Sequence, residues 1–243
     1  MGKKHVFIGG TGMNVGKTLL IRALARALID DGLKVIAIKA VEGWCDRSPE
    51  GQEDGELIAA ATGQTWPPRA LVRLRSSLSP AMAAQVEGIE IDWSQMIGDM
   101  ERAADEADVV LVEGAGGVTT PLTWQHSNLA IATSLNAPLL LLGRDHAQGA
   151  TLAIMALAAA KLEGVRTLGV CMSVVEDADP TTGTNAATVQ RFCGVERMVV
   201  GRRMDTNAPV DRWHVLASKT EAVRTMAGWV RGYVEGRITP EGE

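Results

Sequence analysis

The segment Gly10-Thr11-Gly12-Met13-Asn14-Val15-Gly16-Lys17-Thr18 sets the architecture expected for this 243-residue chain. It follows an apolar run at residues 5–8, typical of a buried strand, and precedes residues 19–28, whose apolar spacing is typical of a helix. Small residues between a strand and a helix let backbone N–H groups turn toward phosphate oxygens, and the helix N-terminus adds partial positive charge. The pattern therefore predicts a phosphate-binding loop in which Lys17 reaches the β- and γ-phosphates of a nucleotide and the Thr18 hydroxyl binds Mg²⁺.

The loop departs from the usual spacing of this motif. Thr11 stands where the first glycine belongs, so the motif fits only with five residues between Gly10 and Gly16, one more than usual. The residues expected to bind the nucleotide are Gly12, Met13, Asn14, Val15, Gly16, Lys17 and Thr18. The alternative is a glycine-rich turn between strand and helix whose lysine is merely solvated.

A second apolar run, at residues 35–38, predicts a buried strand that ends at Lys39. Ligands of open α/β sheets bind outside the carboxyl ends of the strands, so Lys39 either faces a ligand or simply emerges into solvent. Asp54 begins a predicted helix at residues 54–61, where it either caps the helix or binds Mg²⁺.

A third buried strand ends in a carboxylate. The apolar run at residues 107–112 leads into Glu113 and then into a loop that contains Gly116 and Gly117. This order is typical of a Walker B strand, whose terminal carboxylate faces the metal, and the glycines let the backbone approach a substrate. A buried glutamate without such a partner is costly, which favours the functional interpretation.

The rest of the chain alternates between strand and helix patterns. Further strands are expected at 71–74 (an edge strand), 137–143, 167–172 and 198–201, and further helices at 80–86, 92–107, 151–162, 181–192 and 220–234. Such alternation predicts an α/β fold with a doubly wound, mostly parallel sheet flanked by helices. Because no shift in composition divides the chain, we expect one domain over residues 1–243.

Composition narrows the possible partners and the compartment. The formal net charge of −5 argues against a nucleic-acid-binding surface. Cys45, Cys171 and Cys193 lack metal-ligand spacing and are expected to be reduced thiols. No leader pattern and no uncharged apolar run of membrane-spanning length is visible, so a soluble, cytoplasmic protein without a membrane partner is expected.

The chain resembles the dethiobiotin synthetase family. The resemblance is carried, in order, by the phosphate loop, Lys39, Asp54, Ser79-Pro80 and the run Val112-Glu113-Gly114-Ala115-Gly116-Gly117. It implies a P-loop domain that acts as a homodimer. It also implies a reaction in which 7,8-diaminopelargonate, CO₂ and ATP with Mg²⁺ give dethiobiotin, ADP and phosphate by closing a cyclic urea.

The resemblance also implies roles for individual residues. Lys17 and Lys39 match the family's two catalytic lysines, the second of which faces the carbamate and the γ-phosphate. Thr18, Asp54 and Glu113 match the residues that hold Mg²⁺. In the same comparison, Gly116 and Gly117 match the stretch that admits the substrate, and Ser173 stands where an asparagine for adenine recognition is expected.

Several segments depart from the family's pattern. The middle of the phosphate loop reads Gly12-Met13-Asn14, and residues 39–44 lack a proline and a substrate-facing hydroxyl. The helix start that receives the substrate carboxylate in the family, often across the dimer, reads Ala147-Gln148-Gly149-Ala150-Thr151. We therefore expect an altered diamine pocket. The candidates for a replacement anchor are Arg144, Arg202 and Arg203, of which the last two have the alternative of being surface residues.

Two other functions, and two roles for one histidine, stay open. The chain resembles amide-forming ligases of the cobyrinic acid diamide synthase type in its loop, although we expect no glutaminase domain in a chain of this length. A nucleotide switch like the partitioning ATPases is the third candidate, but Gly9-Gly10-Thr11 lacks the early lysine typical of that class. His146 is either a proton shuttle or a surface or hydrogen-bonding residue.

Overall fold

The structure, a computed structural model, describes residues 4–46, 53–174, 178–201 and 212–242, apart from the side chains of Val174 and Trp213. Its main element is a six-stranded sheet in the order β2-β5-β1-β6-β7-β8, in which every neighbouring pair is parallel. The strands are β1 (His5–Gly10), β2 (Val35–Lys39), β5 (Val109–Glu113), β6 (Leu139–Asp145), β7 (Thr167–Val174) and β8 (Met198–Gly201). The predicted doubly wound parallel sheet is confirmed.

The described helices connect these strands and cover both faces of the sheet. They are α1 (Lys17–Asp30), α2 (Asp54–Thr62), α3 (Pro80–Glu87), α4 (Trp93–Ala103), α5 (Asn128–Ser134), α6 (Gly149–Leu162), α7 (Asn185–Cys193), α8 (Trp213–Ala217) and α9 (Glu221–Val234). The short helices α5 and α8 were not expected from the sequence. None of the helices in the described ranges combines the length and apolar character needed to cross a membrane.

The core forms two layers because successive side chains of a strand point to opposite faces of the sheet. Phe7, Val110 and Val112 belong to one buried cluster, together with side chains from α4, α5 and α6. Val6 and Leu111 belong to the other cluster, which includes side chains from α1 and α9. Both faces are therefore covered, which explains why the strands read as continuous apolar runs.

One predicted strand lies outside the main sheet. The expected edge strand at 71–74 is β4 (Val72–Arg73), which pairs in parallel with β3 (Val41–Glu42) in a separate two-stranded sheet. The reason is that the chain turns away from the sheet after Lys39. The backbone N–H groups of Leu71 and Val72 donate to the carbonyls of Lys39 and Ala40, each at 3.0 Å.

The sheet register brings the ends of three strands together. Ile8 of β1 and Lys39 of β2 are both Cα partners of Glu113 in β5. The predicted phosphate loop leaves β1 at the same edge, since parallel strands share the direction of their carboxyl ends. The candidate functional residues therefore meet at one edge of the sheet, although they come from distant parts of the chain.

Candidate active site

The predicted phosphate loop connects β1 to α1 and has the geometry of an anion-binding turn. Asn14 and Gly16 have left-handed backbone conformations, with φ of 53° and 96°. Lys17 is buried, and its Nζ donates to the carbonyl of Gly12 at 3.0 Å, so the lysine folds back over the loop. Val15 is buried and Met13 is exposed. The alternative in which the lysine is merely solvated is wrong.

A second loop, at residues 114–117, lies against the phosphate loop. The N–H of Val118 donates to the carbonyl of Gly10 at 2.9 Å. A Cβ at Gly117 would lie 3.4 Å from both the Cα of Gly12 and the oxygen of Thr11, and Gly116 has a φ of 72°. Glycine is therefore favoured at 116 by its backbone conformation and by Thr120, whose Oγ1 would lie 2.7 Å from an added Cβ, whereas a Cβ at Gly117 would make ordinary van der Waals contact with the phosphate loop.

Asn128, which the sequence did not single out, holds this second loop. Its side chain is buried; its Oδ1 accepts from the N–H of Ala115 at 3.1 Å, and its Nδ2 donates to the carbonyls of Ala115 and Gly117 at 2.5 and 2.6 Å. Ser127 caps the helix that begins at Asn128. The cap was a local signal for α5, but nothing in the sequence pointed to the contacts of the asparagine.

Lys39 lies between two carboxylates. Its Nζ is 2.5 Å from Oε1 of Glu113 and 2.9 Å from Oδ2 of Asp54. Lys39 and Glu113 are almost fully buried, whereas the side chain of Asp54 is 42% exposed. The Thr18 hydroxyl donates to Oε1 of Glu113 at 3.1 Å. The alternative in which Lys39 emerges into solvent is thereby wrong.

The two lysines differ in acidity because their surroundings differ. Burial lowers the pKa of Lys17 to about 8, although the Glu113 carboxylate acts in the opposite direction. Burial also disfavours the charge of Lys39, but Glu113 and Asp54 outweigh it and raise the pKa of this ammonium above its ordinary value. Lys39 therefore stays charged across the neutral range, whereas Lys17, with a pKa of about 8, loses its charge under mildly basic conditions.

The donor set suits a hard divalent cation. Thr18, Asp54 and Glu113 offer hydroxyl and carboxylate oxygens, which are the ligands that Mg²⁺ prefers. Oε2 of Glu113 is buried and has no hydrogen-bond partner in the described part of the chain. A buried carboxylate oxygen without a donor is costly, so an incoming cation would satisfy it.

The other predicted residues lie farther along this sheet edge. Ser173 is half-buried near the end of β7, where it is the Cα partner of Arg144 and Gly201. Arg144 is exposed, whereas Arg202 and Arg203 lie outside the described residues. His146 is half-buried, and its Nδ1 contacts the carbonyl oxygen of Ala147, which favours the interpretation as a surface or hydrogen-bonding residue.

The start of α6 is already occupied by acceptors from the chain itself. The N–H of Ala147 donates to the Asp179 carboxylate at 2.5 Å, and the N–H of Ala150 donates to Oδ1 of Asn185 at 3.1 Å. The N–H of Gly149 donates to the carbonyl of His146 at 2.7 Å. This segment therefore differs from an open anion site.

A strand–loop–helix unit of this geometry, with a lysine at the helix start and a carboxylate at the end of the neighbouring strand, defines a nucleotide-binding protein of the P-loop class. Solved structures of this class are similar over nearly the whole chain. The MinC:MinD cell division complex of Aquifex aeolicus aligns with a TM-score of 0.58 and 15% identity over 99% of both chains. A ParA family ATPase from Chlorobium tepidum aligns with a TM-score of 0.57 and 12% identity over 95% of this chain and 99% of that one. At such low identity these likenesses show the fold alone.

Sequence comparison identifies the family. A family model described as an AAA domain matches residues 4–202. The ATP-dependent dethiobiotin synthetase of Caulobacter sp. (strain K31) is 35% identical over 88% of this chain and 94% of its own length. The enzyme of the same name from Aquifex aeolicus is 28% identical over 85% of this chain and 93% of its own length. The chain belongs to the dethiobiotin synthetase family and is a ligase. The predicted family is confirmed, while the roles of individual residues stay predictions.

Proposed function

We propose that the chain uses ATP and Mg²⁺ to carboxylate a diamine and close it to a cyclic urea, giving dethiobiotin from 7,8-diaminopelargonate and CO₂, or the corresponding product of a related diamine. One observation carries the proposal. Lys17, Lys39, Thr18, Asp54 and Glu113 converge at the carboxyl edge of the sheet, with buried contacts between the second lysine and a carboxylate. Phosphoryl transfer requires this combination of cations and metal-binding oxygens.

The lysines provide cations for an anionic nucleophile and an anionic acceptor. Attack of a carbamate oxygen on the γ-phosphorus releases ADP and needs neutralisation of charge more than proton transfer. Lys17 lies over the loop expected to hold the phosphates. Lys39 uses two of its three N–H donors on Glu113 and Asp54, which leaves the third for a phosphate or carbamate oxygen. We therefore infer that Lys39 both organises the carboxylates and contacts the substrate.

The second step depends on positioning. The second amine of the substrate attacks the carbonyl carbon of the carbamic-phosphoric anhydride, phosphate leaves, and the amine loses a proton as the ring closes. Both reacting groups belong to one molecule, so a pocket that holds this molecule in a folded conformation provides most of the rate acceleration. Gly116 and Gly117 support such a pocket, because they leave backbone without side chains beside the phosphate loop.

Thr18, Asp54 and Glu113 are the residues that would hold Mg²⁺. When bound, this ion would neutralise charge on the β- and γ-phosphates of the nucleotide. The buried and unsatisfied Oε2 of Glu113 supports this assignment, as does the Thr18 hydroxyl beside Oε1 of the same carboxylate. Met13 and Asn14, with Gly12, Val15 and Gly16, would complete the nucleotide site through their backbone, and Ser173 would lie near the base.

The homodimer is part of the same proposal. Helix α6 carries a row of apolar side chains on its outer face, of which Leu152 is 37%, Met155 62% and Leu162 89% exposed. Their spacing of i, i+3 and i+10, with Ala159 at i+7, matches the seam of a pair of packed helices. A second copy of the chain would cover this row. Met155→Lys should then lower the molecular mass measured by light scattering to that of one chain.

The decisive experiment measures ADP release with ATP, Mg²⁺ and bicarbonate, with and without 7,8-diaminopelargonate, and identifies the product by mass. Lys17→Ala is the blank, and Lys34→Ala, which changes an exposed lysine, is the control. Dethiobiotin formed by the wild type and by Lys34→Ala is the expected result. ADP release that no diamine stimulates, across a panel of chain lengths, would contradict the proposal.

The occupied start of α6 favours a related diamine as a second candidate substrate. Because Asp179 and Asn185 already engage the amides of Ala147 and Ala150, a carboxylate on the substrate gains less here than at an open helix start. The same assay with 7,8-diaminononane, which keeps both amines and lacks the carboxylate, distinguishes a diamine substrate with a carboxylate from one without it. Comparable values of kcat/KM for the two diamines would favour the carboxylate-free class.

A further inference from the structure

Glu42 has no role in the proposed chemistry so far. Both oxygens of its buried carboxylate accept hydrogen bonds from the start of α2. Glu42 is 7% exposed at the end of β3. Oε1 accepts from the N–H of Asp54 at 2.6 Å, and Oε2 accepts from the N–H of Gly55 at 2.9 Å. These are the first two residues of α2, so the carboxylate also faces the positive end of the helix dipole.

The start of α2 is fixed from a second side as well. A Cβ at Gly55 would lie 2.2 Å from the backbone N of Ala70, so the helix start packs directly against the segment before β4. Glu42 and Ala70 thus enclose the backbone of residues 54 and 55. A helix held in this way cannot shift without breaking both hydrogen bonds of the Glu42 carboxylate or colliding with Ala70.

The position of this backbone determines where the Asp54 carboxylate lies. Asp54 contacts Lys39 at 2.9 Å, and Lys39 contacts Glu113 at 2.5 Å. The side chain of Asp54 is 42% exposed, so packing alone does not hold it in place. Its orientation depends on its backbone and on Lys39.

Burial raises the pKa of Glu42, and the N–H donors of Gly55 and Asp54 counteract this rise.

We propose that Glu42 is a positioning residue, which anchors the first turn of α2 and thereby places the Asp54 carboxylate beside Lys39 and the expected Mg²⁺ ligands. The inference rests on the proposed function of Asp54. Glu42 itself does not touch the substrate or the metal in this scheme, because both of its oxygens are engaged by backbone donors.

The test compares Glu42→Gln with a matched control, Glu87→Gln. The Glu87 carboxylate also accepts from two consecutive backbone N–H groups, those of Arg75 and Ser76, but it lies outside the proposed site. The readout is the affinity for ATP, measured by calorimetry with and without Mg²⁺, alongside thermal unfolding and ADP release. For Glu42→Gln we expect the gain in ATP affinity that Mg²⁺ provides to fall by about ten-fold, as for the loss of an outer-shell partner of a metal ligand. The affinity for free ATP should change by less than about three-fold.

A double-mutant cycle with Asp54→Asn separates positioning from a general loss of stability. If Glu42 acts through Asp54, the double variant should be no more than about two-fold worse in Mg²⁺ dependence than Asp54→Asn alone, because the two effects share one pathway. Independent effects would multiply. Should Glu42→Gln fail to fold, Glu42→Asp keeps the charge, withdraws the carboxylate by one methylene and enters the same cycle.

The outcomes distinguish this inference from the proposed function. A wild type without Mg²⁺-dependent ATP binding and without diamine-dependent ADP release overturns both. An active wild type whose Glu42→Gln variant behaves like Glu87→Gln in Mg²⁺ dependence, or whose effects multiply with those of Asp54→Asn, overturns the role of Glu42 alone.

Discussion

Replacing Lys39 by methionine should destabilise the fold through Glu113 and not through Asp54. Methionine keeps an unbranched side chain that ends one atom before the ammonium, and it leaves Glu113, which is 1% exposed, as a buried carboxylate without its cation. Removing one partner of a buried ion pair costs about 3–5 kcal/mol. The pair with Asp54 contributes only about 0–1 kcal/mol, since that carboxylate is 42% exposed and screened by solvent. At about 2–4 °C per kcal/mol for a chain of this size, Tm should fall by roughly 6–20 °C.

The loss of stability should depend on pH in a definite direction. Burial raises the pKa of Glu113, and the Lys39 ammonium opposes that rise. Without Lys39 the rise is unopposed. A carboxyl group whose pKa is higher in the folded than in the unfolded state destabilises the fold as the pH rises above its unfolded value. Lys39→Met should therefore lose more stability at about pH 8 than at about pH 5, where Glu113 takes up a proton.

Thermal and urea unfolding across this pH range provide the measurement. Lys34→Met, which changes an exposed lysine, is the control, and Glu113→Gln added to Lys39→Met should restore much of the stability because it removes the buried charge. If Lys39→Met unfolded like Lys34→Met at about pH 8, or lost stability equally at every pH, the reasoning from the buried pair would be wrong.

Three further predictions concern the phosphate loop and its neighbours. The pKa of about 8 for Lys17 implies that the affinity for ATP falls as the pH rises through that value, because a neutral amine attracts phosphate less. Lys17→Arg should give a flatter pH profile of ATP affinity, measured by ATP titration across this range. Asn128→Leu should lower kcat and destabilise the fold by about 2–4 kcal/mol in urea unfolding, because three hydrogen bonds to the second loop are lost. Unchanged stability would contradict the role given to Asn128. Gly9→Ala should cost about 1–3 kcal/mol by thermal unfolding, because its Cβ would lie 2.5 Å from Cδ1 of Leu139; a variant as stable as the wild type would show that the core can relax there.

The parts of the fold that the sequence predicted are those with a strong local signal. The core strands β1, β2, β5 and β6 are continuous apolar runs, and the phosphate loop is a compact motif between two such elements. Lys39 and Glu113 were identifiable because each is a charged residue placed directly at the end of a buried run. Position at a strand end marked both residues as candidates, but it left open whether Lys39 faces a ligand or solvent, and their direct contact is seen only in the structure.

The features that the sequence did not predict depend on contacts between distant segments. Glu42 and Asn128 act through their bonds to backbone groups, which no pattern of residue types encodes. β3 and β4 have only two residues each, too few to show a period, and their pairing follows from the turn after Lys39. The expected strand at 71–74 is present as β4, but its pairing with β3 outside the main sheet was not predicted, for this reason.

The register of β2 against β5 ties assembly of the site to correct folding. Lys39 and Glu113 are Cα partners on adjacent strands. A slip of one residue would turn Lys39 to the opposite face of the sheet, while Glu113 stayed where it is. Each charge would then be buried without its partner, which costs on the order of several kcal/mol per charge. Apolar pairs such as Ile38 and Val112 lose less when the register shifts, because one apolar neighbour can replace another. The ion pair therefore favours the native register of β2 against β5 over shifted registers, because any shift separates the two buried charges.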